Sequence, residues 1–366
     1  MMPSKFSALW TKLLAFFALL AIITPIRCEE LQTTVRGFAY TTVFSDNRWF
    51  DNKSSIAINL DADYGPFAVR TQVATETNAV RRLVGEYSFI VPWINMTSVW
   101  QVGRYVRLDS FYNNVTDSPG TSGMAILPMA GYNRRMATGT FTIMDGWQTW
   151  NSVVVGETLV TARYGYGKMM IESQRDLHKE VFSGKIVKGL DLESAEGVYD
   201  FGLHLEHHNW HAYYSHNYYK INTKVTEPSN PMANFVNRTY SSVDYPVDKI
   251  GLKYFCKKYW VQGEMAKGTT YSTNYRGVKK HELGATDYNV IAGYAFKESY
   301  AAYIGQSRGF NDQGRTAKDR FIGVTYDNGK WAASLEYHKG EGLAWRKYDS
   351  PIDSWNAFVT SVTYRF

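Results

Sequence analysis

Five of the eight histidines, His204, His207, His208, His211 and His216, fall between residues 204 and 216. Neutral imidazoles at close spacing are transition-metal ligands, and a chain that folds back at His207-His208-Asn209 brings His204 towards His211, with Glu206 beside them. The plainer account is that imidazole is a tolerated polar group at a turn, so no metal and no other cofactor is expected. A second chemistry would be nucleophilic: Ser215 stands beside His216, and Ser334 stands near His338. Neither pair sits in a nucleophile motif, and no third group is placed by the sequence to orient the imidazole. Neighbouring residues of a strand point to opposite faces, which keeps Ser215 from His216. The chain is not expected to be an enzyme. What remains is electrostatics, in carboxylates and guanidinium groups that recur at every second position of extended segments.

Those segments follow one pattern from residue 34 to the end. Ile56, Ile58, Leu60, Ala62 and Tyr64 alternate with Ala57, Asn59, Asp61 and Asp63, and after Gly65-Pro66 the pattern resumes with Phe67, Val69, Thr71 and Val73. Phe201, Leu203 and Leu205 lead through the histidine turn into Trp210, Ala212 and Tyr214; Ile322, Val324 and Tyr326 lead through Asp327-Asn328-Gly329, a hairpin signal, into Trp331, Ala333, Leu335 and Tyr337. Phe358, Thr360, Val362, Tyr364 and Phe366 close the chain on one face, with Val359, Ser361, Thr363 and Arg365 on the other. Sixteen strands are expected, near 34–44, 54–64, 67–75, 82–91, 98–107, 147–155, 159–170, 197–206, 209–221, 247–256, 258–267, 283–296, 299–308, 318–326, 330–339 and 355–366. Their connections alternate between short and mostly longer, polar ones. Closed barrels have that parity and soluble sandwiches have no reason for it, so an all-β transmembrane antiparallel barrel with short periplasmic turns and long external loops is predicted.

The other end of the chain reads as a leader. Lys5 and Lys12 precede the unbroken apolar run Leu13 to Ile23, then Thr24-Pro25-Ile26-Arg27-Cys28 and acidic Glu29-Glu30 follow. The run is too short to span a bilayer stably, and residues 1–28 are expected to be a cleaved signal peptide before a barrel of residues 29–366. Removing its Lys5, Lys12 and Arg27 lowers the formal net charge from +6 to roughly +3. A weakly basic chain without a dense basic face does not suit nucleic acid. Cys256 alone remains, which excludes an internal disulfide in an exported protein. No later segment approaches a transmembrane helix, and 16% of the residues are Phe, Trp or Tyr, as lipid-facing strands require. Asn52, Asn95, Asn114 and Asn237 match the glycosylation pattern, but such matches arise by chance in a chain rich in Asn, Ser and Thr.

Val102-Gly103-Arg104, Asp145-Gly146-Trp147, Ile250-Gly251-Leu252-Lys253-Tyr254, Trp260-Val261-Gln262-Gly263-Glu264, Ala292-Gly293-Tyr294 and Tyr364-Arg365-Phe366 resemble stretches of the Gram-negative outer-membrane porins. The resemblance covers essentially the whole chain after the leader. It implies a barrel in the outer membrane, usually a homotrimer, among outer-membrane lipids and lipopolysaccharide. It also implies delivery by the barrel-assembly machinery, with Tyr364 and Phe366 as the terminal assembly signal. Its third external loop would be residues 109–146, folded inward to narrow a water-filled pore. Asp109, Asp117, Arg134 and Arg135 of that loop would then face Arg70, Arg163, Asp61 and Glu264 of the wall, making a transverse field that sieves small hydrophilic solutes and ions. Arg104 and Arg107 lie on a strand without clean alternation and face either the lumen or the headgroups. The inward acids Asp61, Asp63, Glu86, Asp200, Glu206, Glu264, Asp287 and Glu336 outnumber the bases Arg70, Arg163, Lys253 and Arg365, while the whole chain is slightly basic, so no ion preference is assigned. The alternatives are a channel selective for sugars, organic acids or anions, and a surface barrel without transport that serves as adhesin or phage receptor.

Overall fold

Ile56, Ile58 and Leu60 are about half exposed, while Ala57, Asn59 and Asp61 between them are buried. One strand, β2 (Lys53–Tyr64), thus turns aliphatic side chains outward and small or polar ones inward, the inverse of a soluble sheet. The computed structural model describes residues 30–45, 53–75, 79–106, 143–169, 190–225, 240–269, 273–275, 278–280, 284–310, 316–341 and 354–366. Within them the same inversion holds in β1 (Gln32–Phe44), β3 (Phe67–Ala74), β4 (Ala79–Val91), β5 (Met96–Val106), β6 (Ile143–Val155), β7 (Thr158–Met169), β8 (Leu190–His207) and β9 (Trp210–Val225). It continues through β10 (Tyr240–Cys256), β11 (Tyr259–Thr269), β14 (Gly284–Lys297), β15 (Tyr300–Phe310), β16 (Thr316–Asp327), β17 (Trp331–Glu341) and β18 (Ser354–Arg365), where Ile291, Phe321, Trp355 and Val359 are buried apolar exceptions on the inner face.

These sixteen strands form one closed antiparallel barrel. Each pairs with its neighbour in sequence, and β1 pairs with β18 from Phe38↔Arg365 to Phe44↔Val359. Backbone bonds between Gly37 and Phe366, 2.7 and 3.0 Å, fasten the seam at one rim. Closure leaves no unpaired strand edge, the condition for β-structure in lipid. The expected strand count and parity hold. Many of the described strands run further than expected on the side of the long connections, most of all β8, β9 and β10, while β3, β5, β7 and β14 stop one residue short there. There β12 (Thr273–Tyr275) and β13 (Val278–Lys280) add a small hairpin that pairs with β10 through Ser241↔Asn274. It was not anticipated, because segments this short carry no legible period.

The opposite rim carries the tight turns. Their corners take positive φ at Gly65 (55°), Gly156 (62°) and Gly329 (86°), and also at Asn95 (46°), His208 (49°) and Lys257 (53°). Just above these turns, aromatic rings pair across neighbouring strands on the outer face: Phe67 with Tyr87 (5.1 Å between centroids), Trp210 with Tyr254 (4.4 Å), Tyr259 with Tyr294 (4.7 Å), Tyr300 with Tyr326 (4.9 Å) and Trp331 with Tyr364 (4.6 Å). This is an interfacial girdle. Beyond it lies a zone of exposed Ile, Val and Leu, including Ile250, Leu252, Val261, Ile304, Ile322, Val324 and Leu335. So continuous an apolar belt has no favourable arrangement in water and is satisfied by hydrocarbon. No described helix is long and apolar enough to cross a membrane.

Candidate functional site: the inner wall of the barrel

Side chains on the inner face are held by contacts between strands. Antiparallel register places Tyr213 of β9, Gly251 of β10 and Glu264 of β11 in one row. The Tyr213 ring lies across Gly251 and its hydroxyl donates to Glu264 Oε1 at 2.6 Å. A β-carbon on Gly251 would sit 2.1 Å from the ring, so the close approach depends on glycine. The same device recurs four barrel strands on: Tyr303 of β15 crosses Gly323 of β16 and its hydroxyl donates to Glu336 of β17. In both rows a glycine strand lets an aromatic reach an acid two strands away.

Glu336 also meets His338. That imidazole lies between two carboxylates, Nδ1 2.9 Å from Asp319 and Nε2 2.9 Å from Glu336, and stacks on Phe321 at 5.2 Å. With both ring nitrogens engaged by acids, neither is placed to take a proton from Ser334, whose Oγ bonds that of Ser361 at 2.8 Å. Ser215 faces inward and is buried, while His216 faces outward to Asp248 at 2.9 Å. Period two separates that second pair as expected.

Opposite these rows runs a chain of polar contacts through five strands. Arg70 bonds Asp63 at 2.8 Å and lies 3.6 Å from Glu86; Gln101 donates to Glu86 at 2.6 Å, and Gln148 donates to Gln101 at 2.6 Å. Asp61 accepts from Arg36 at 3.1 Å, and Gln72 donates to Asn59 at 2.9 Å. Arg163, fully buried, bonds Asp200 at 3.0 Å. Its guanidinium lies 5.9 Å from the Trp150 ring centroid. Charges brought this far from water persist because each is paired and hydrogen-bonded.

Exposure along this wall is graded. Near the tight-turn rim Thr34, Arg36 and Glu206 are exposed, and Asp63, Arg70, His211, Lys253 and Arg365 are half-buried. From mid-height towards the long connections Asn59, Gln72, Gln148, Arg163, Asp200, Glu264, Glu336 and His338 are buried. The inner face therefore passes from an open vestibule into a closely packed belt in which polar and charged groups are interleaved with apolar clusters, Ile291 with Phe321 on one side and Phe38 with Ala57 on another.

Arg70, Asp61, Arg163 and Glu264 lie on the inner wall, and each is satisfied by a neighbour on that wall. Asp109, Asp117, Arg134, Arg135 and Arg107 lie outside the described residues, as do residues 1–28. Arg104 faces outward: it forks onto Asp145 at 2.9 and 3.2 Å and reaches the Val80 carbonyl at 3.2 Å. Near it Trp100 and Trp147 stack at 6.1 Å. Inward charges that sequence reasoning did not place include Arg36, Asp319, Lys249 and Asp327, the last forked by Arg365 at 2.8 and 2.9 Å. Their alternation was legible; their partners were not. His204 and His211 do not form a pair, because register sets His204 against Tyr213, stacked at 5.6 Å, and His211 against Glu206 at 3.9 Å. The terminal Tyr364 and Phe366 stack at 6.1 Å beside the seam.

No family model and no curated protein matches the chain. Solved structures do. OmpT, an outer-membrane protein of Vibrio cholerae, superposes with a TM-score of 0.57 at 11% identity, covering 94% of this chain and 100% of that one. OmpF of Salmonella typhi, in complex with daunomycin, gives 0.54 at 14% identity over 94% and 100%. The outer-membrane channel DcaP of Acinetobacter baumannii gives 0.54 at 11% identity over 92% and 97%. At such identities the likeness speaks for the fold alone: this chain has the architecture of an outer-membrane β-barrel.

Proposed function

We propose that the protein is an outer-membrane channel for passive diffusion, passing small hydrophilic solutes and ions through its lumen without a catalytic step. One observation carries the reading: from the vestibule to mid-height the inner face carries Asp, Glu, Arg and Gln, set among buried apolar side chains such as Phe38, Ile291, Phe321 and Val359, while the outer face at the same heights is aliphatic and carries no such row of charges. A barrel that only needed to sit in lipid has no use for a wall of Asp, Glu, Arg and Gln inside. The tight-turn rim is then periplasmic and the long connections external. A trimer is supported by the trimer form in which the Vibrio cholerae OmpT structure is also found. Purified protein added to planar bilayers should give stepwise conductance; bilayers that stay silent at increasing protein concentration would overturn the reading.

The burial of the mid-height belt favours a second, narrower form of the same function, a channel selective by size and hydrogen bonding. Paired charges at the belt leave little net field, so discrimination would come from width and from exchange of hydrogen bonds with the solute. Liposome swelling with sugars of graded size separates the two. A general channel admits di- and trisaccharides at rates that fall smoothly with size, and a selective one excludes all but a narrow class.

A further inference from the structure

The structure gathers a different set of metal donors from the one that the histidine spacing suggests. The turn joining β6 to β7 carries Glu157, and the turn joining β8 to β9 carries His208, with His207 at the strand end before it. The two turns are neighbours because β7 pairs with β8 through Thr158↔His207. One donor atom from each of Glu157, His207 and His208 lies within 4.8 Å of the other two. His208 Nε2 stands 2.7 Å from Glu157 Oε2. The His207 and His208 rings meet edge to face at 4.3 Å. We propose that this trio is a site for a divalent transition ion of the Zn2+ type at the tight-turn rim of the barrel.

Three features support it. Two imidazoles and a carboxylate are the donor set that Zn2+ takes at open sites, where water completes the tetrahedron; Cu2+ and Ni2+ accept the same donors. The His207 ring is already steered by a second group, since its Nδ1 lies 2.9 Å from the Thr158 hydroxyl, the kind of outer contact that orients ligating histidines. All three donors are exposed, so an ion can enter and keep its waters. His208 holds φ at 49°, in the left-handed region where Asn is enriched as His is, so His208→Asn keeps a residue suited to that corner. Removing the imidazole therefore need not disturb the turn.

The test is titration of ZnCl2 into the full chain folded in detergent, followed by calorimetry. One Zn2+ per chain is expected, and Glu157→Gln, His207→Ala and His208→Asn should each weaken binding at least tenfold. His211→Ala and His216→Ala, on histidines outside the trio, should leave it unchanged. Heat-modifiable gel mobility checks that every variant remains a closed barrel. Absence of stoichiometric binding would overturn the proposal, as would binding that survives Glu157→Gln and His207→Ala together. Conductance is not the readout, so a silent bilayer and a vacant rim are separate failures.

Discussion

Gly251→Ala tests the device that organises the inner wall. The new methyl group would stand 2.1 Å from a ring carbon of Tyr213, so the ring must lift and its 2.6 Å bond to Glu264 is lost. Losing a buried hydrogen bond to a charged acceptor costs about 1.5–3 kcal/mol. Alanine returns about 0.4–1 kcal/mol by restricting the unfolded chain. The net expectation is a loss of about 1–2 kcal/mol, small because Glu264 keeps its 3.4 Å contact with Asn289. Tyr213→Ala empties the space above residue 251, and in that background Gly251→Ala should be neutral or stabilising. The cycle therefore predicts a coupling of about 1.5–3 kcal/mol between residues on adjacent strands. Urea unfolding in phospholipid vesicles, read by tryptophan fluorescence and gel mobility, measures it. An equal cost of Gly251→Ala in both backgrounds would show that the ring does not depend on the glycine.

Other outcomes follow from the two faces of the wall. Val362 points outward and Ser361 inward, so Val362→Arg should impair folding by about 2–4 kcal/mol near the midplane, and Ser361→Arg should be far milder; equal effects on heat-modifiable mobility would refute the assignment of faces. Asp200→Asn should destabilise by about 3–5 kcal/mol, because it strips a fully buried Arg163 of its countercharge. A variant with both residues made apolar should recover most of that loss, and failure to recover would mean that the pair is not the cause. Phe366→Ala keeps the backbone bonds to Gly37 but removes a ring packed on that glycine, so it should slow assembly into vesicles more than it lowers final stability. Time courses of the folded band against its end-point separate rate from stability.

The barrel was legible because its two signals are local. Period-two alternation, as in Ile56 to Tyr64, and the parity of connection lengths both survive without any knowledge of which strands touch. The faces of Asp61, Arg70, Arg163 and Glu264 followed from the same parity. Their partners did not. Arg36 meets Asp61, Arg163 meets Asp200 and Tyr213 meets Glu264 through a register that depends on turn lengths and on bulges such as the slip between Glu196 and Tyr199. A shift of one residue moves every side chain to the other face, whereas a shift of two keeps the faces and changes every partner. Alternation therefore reveals which residues line the lumen and is silent about which of them meet.

That distinction decides what the wall can do. The sequence inventory of inward charges held more acids than bases, against a slightly basic whole chain, and left the ion preference unassigned. In the folded wall Asp61, Asp63, Glu86, Asp200 and Asp327 each stand beside a guanidinium, and Asp319 and Glu336 share one imidazole. Asp61, Asp200 and Asp327, each with a guanidinium of its own, present dipoles to the lumen, whose field falls off faster with distance than a single charge's; Asp63 and Glu86 share Arg70, and Asp319 and Glu336 share His338, so only a modest excess of acid is left. Ion preference should consequently be weak and respond sharply to single substitutions. Arg163→Met, by unmasking Asp200, should shift the reversal potential in a salt gradient towards cations. An unshifted potential would mean that ions do not pass within a Debye length, about 10 Å at 0.1 M salt, of that pair.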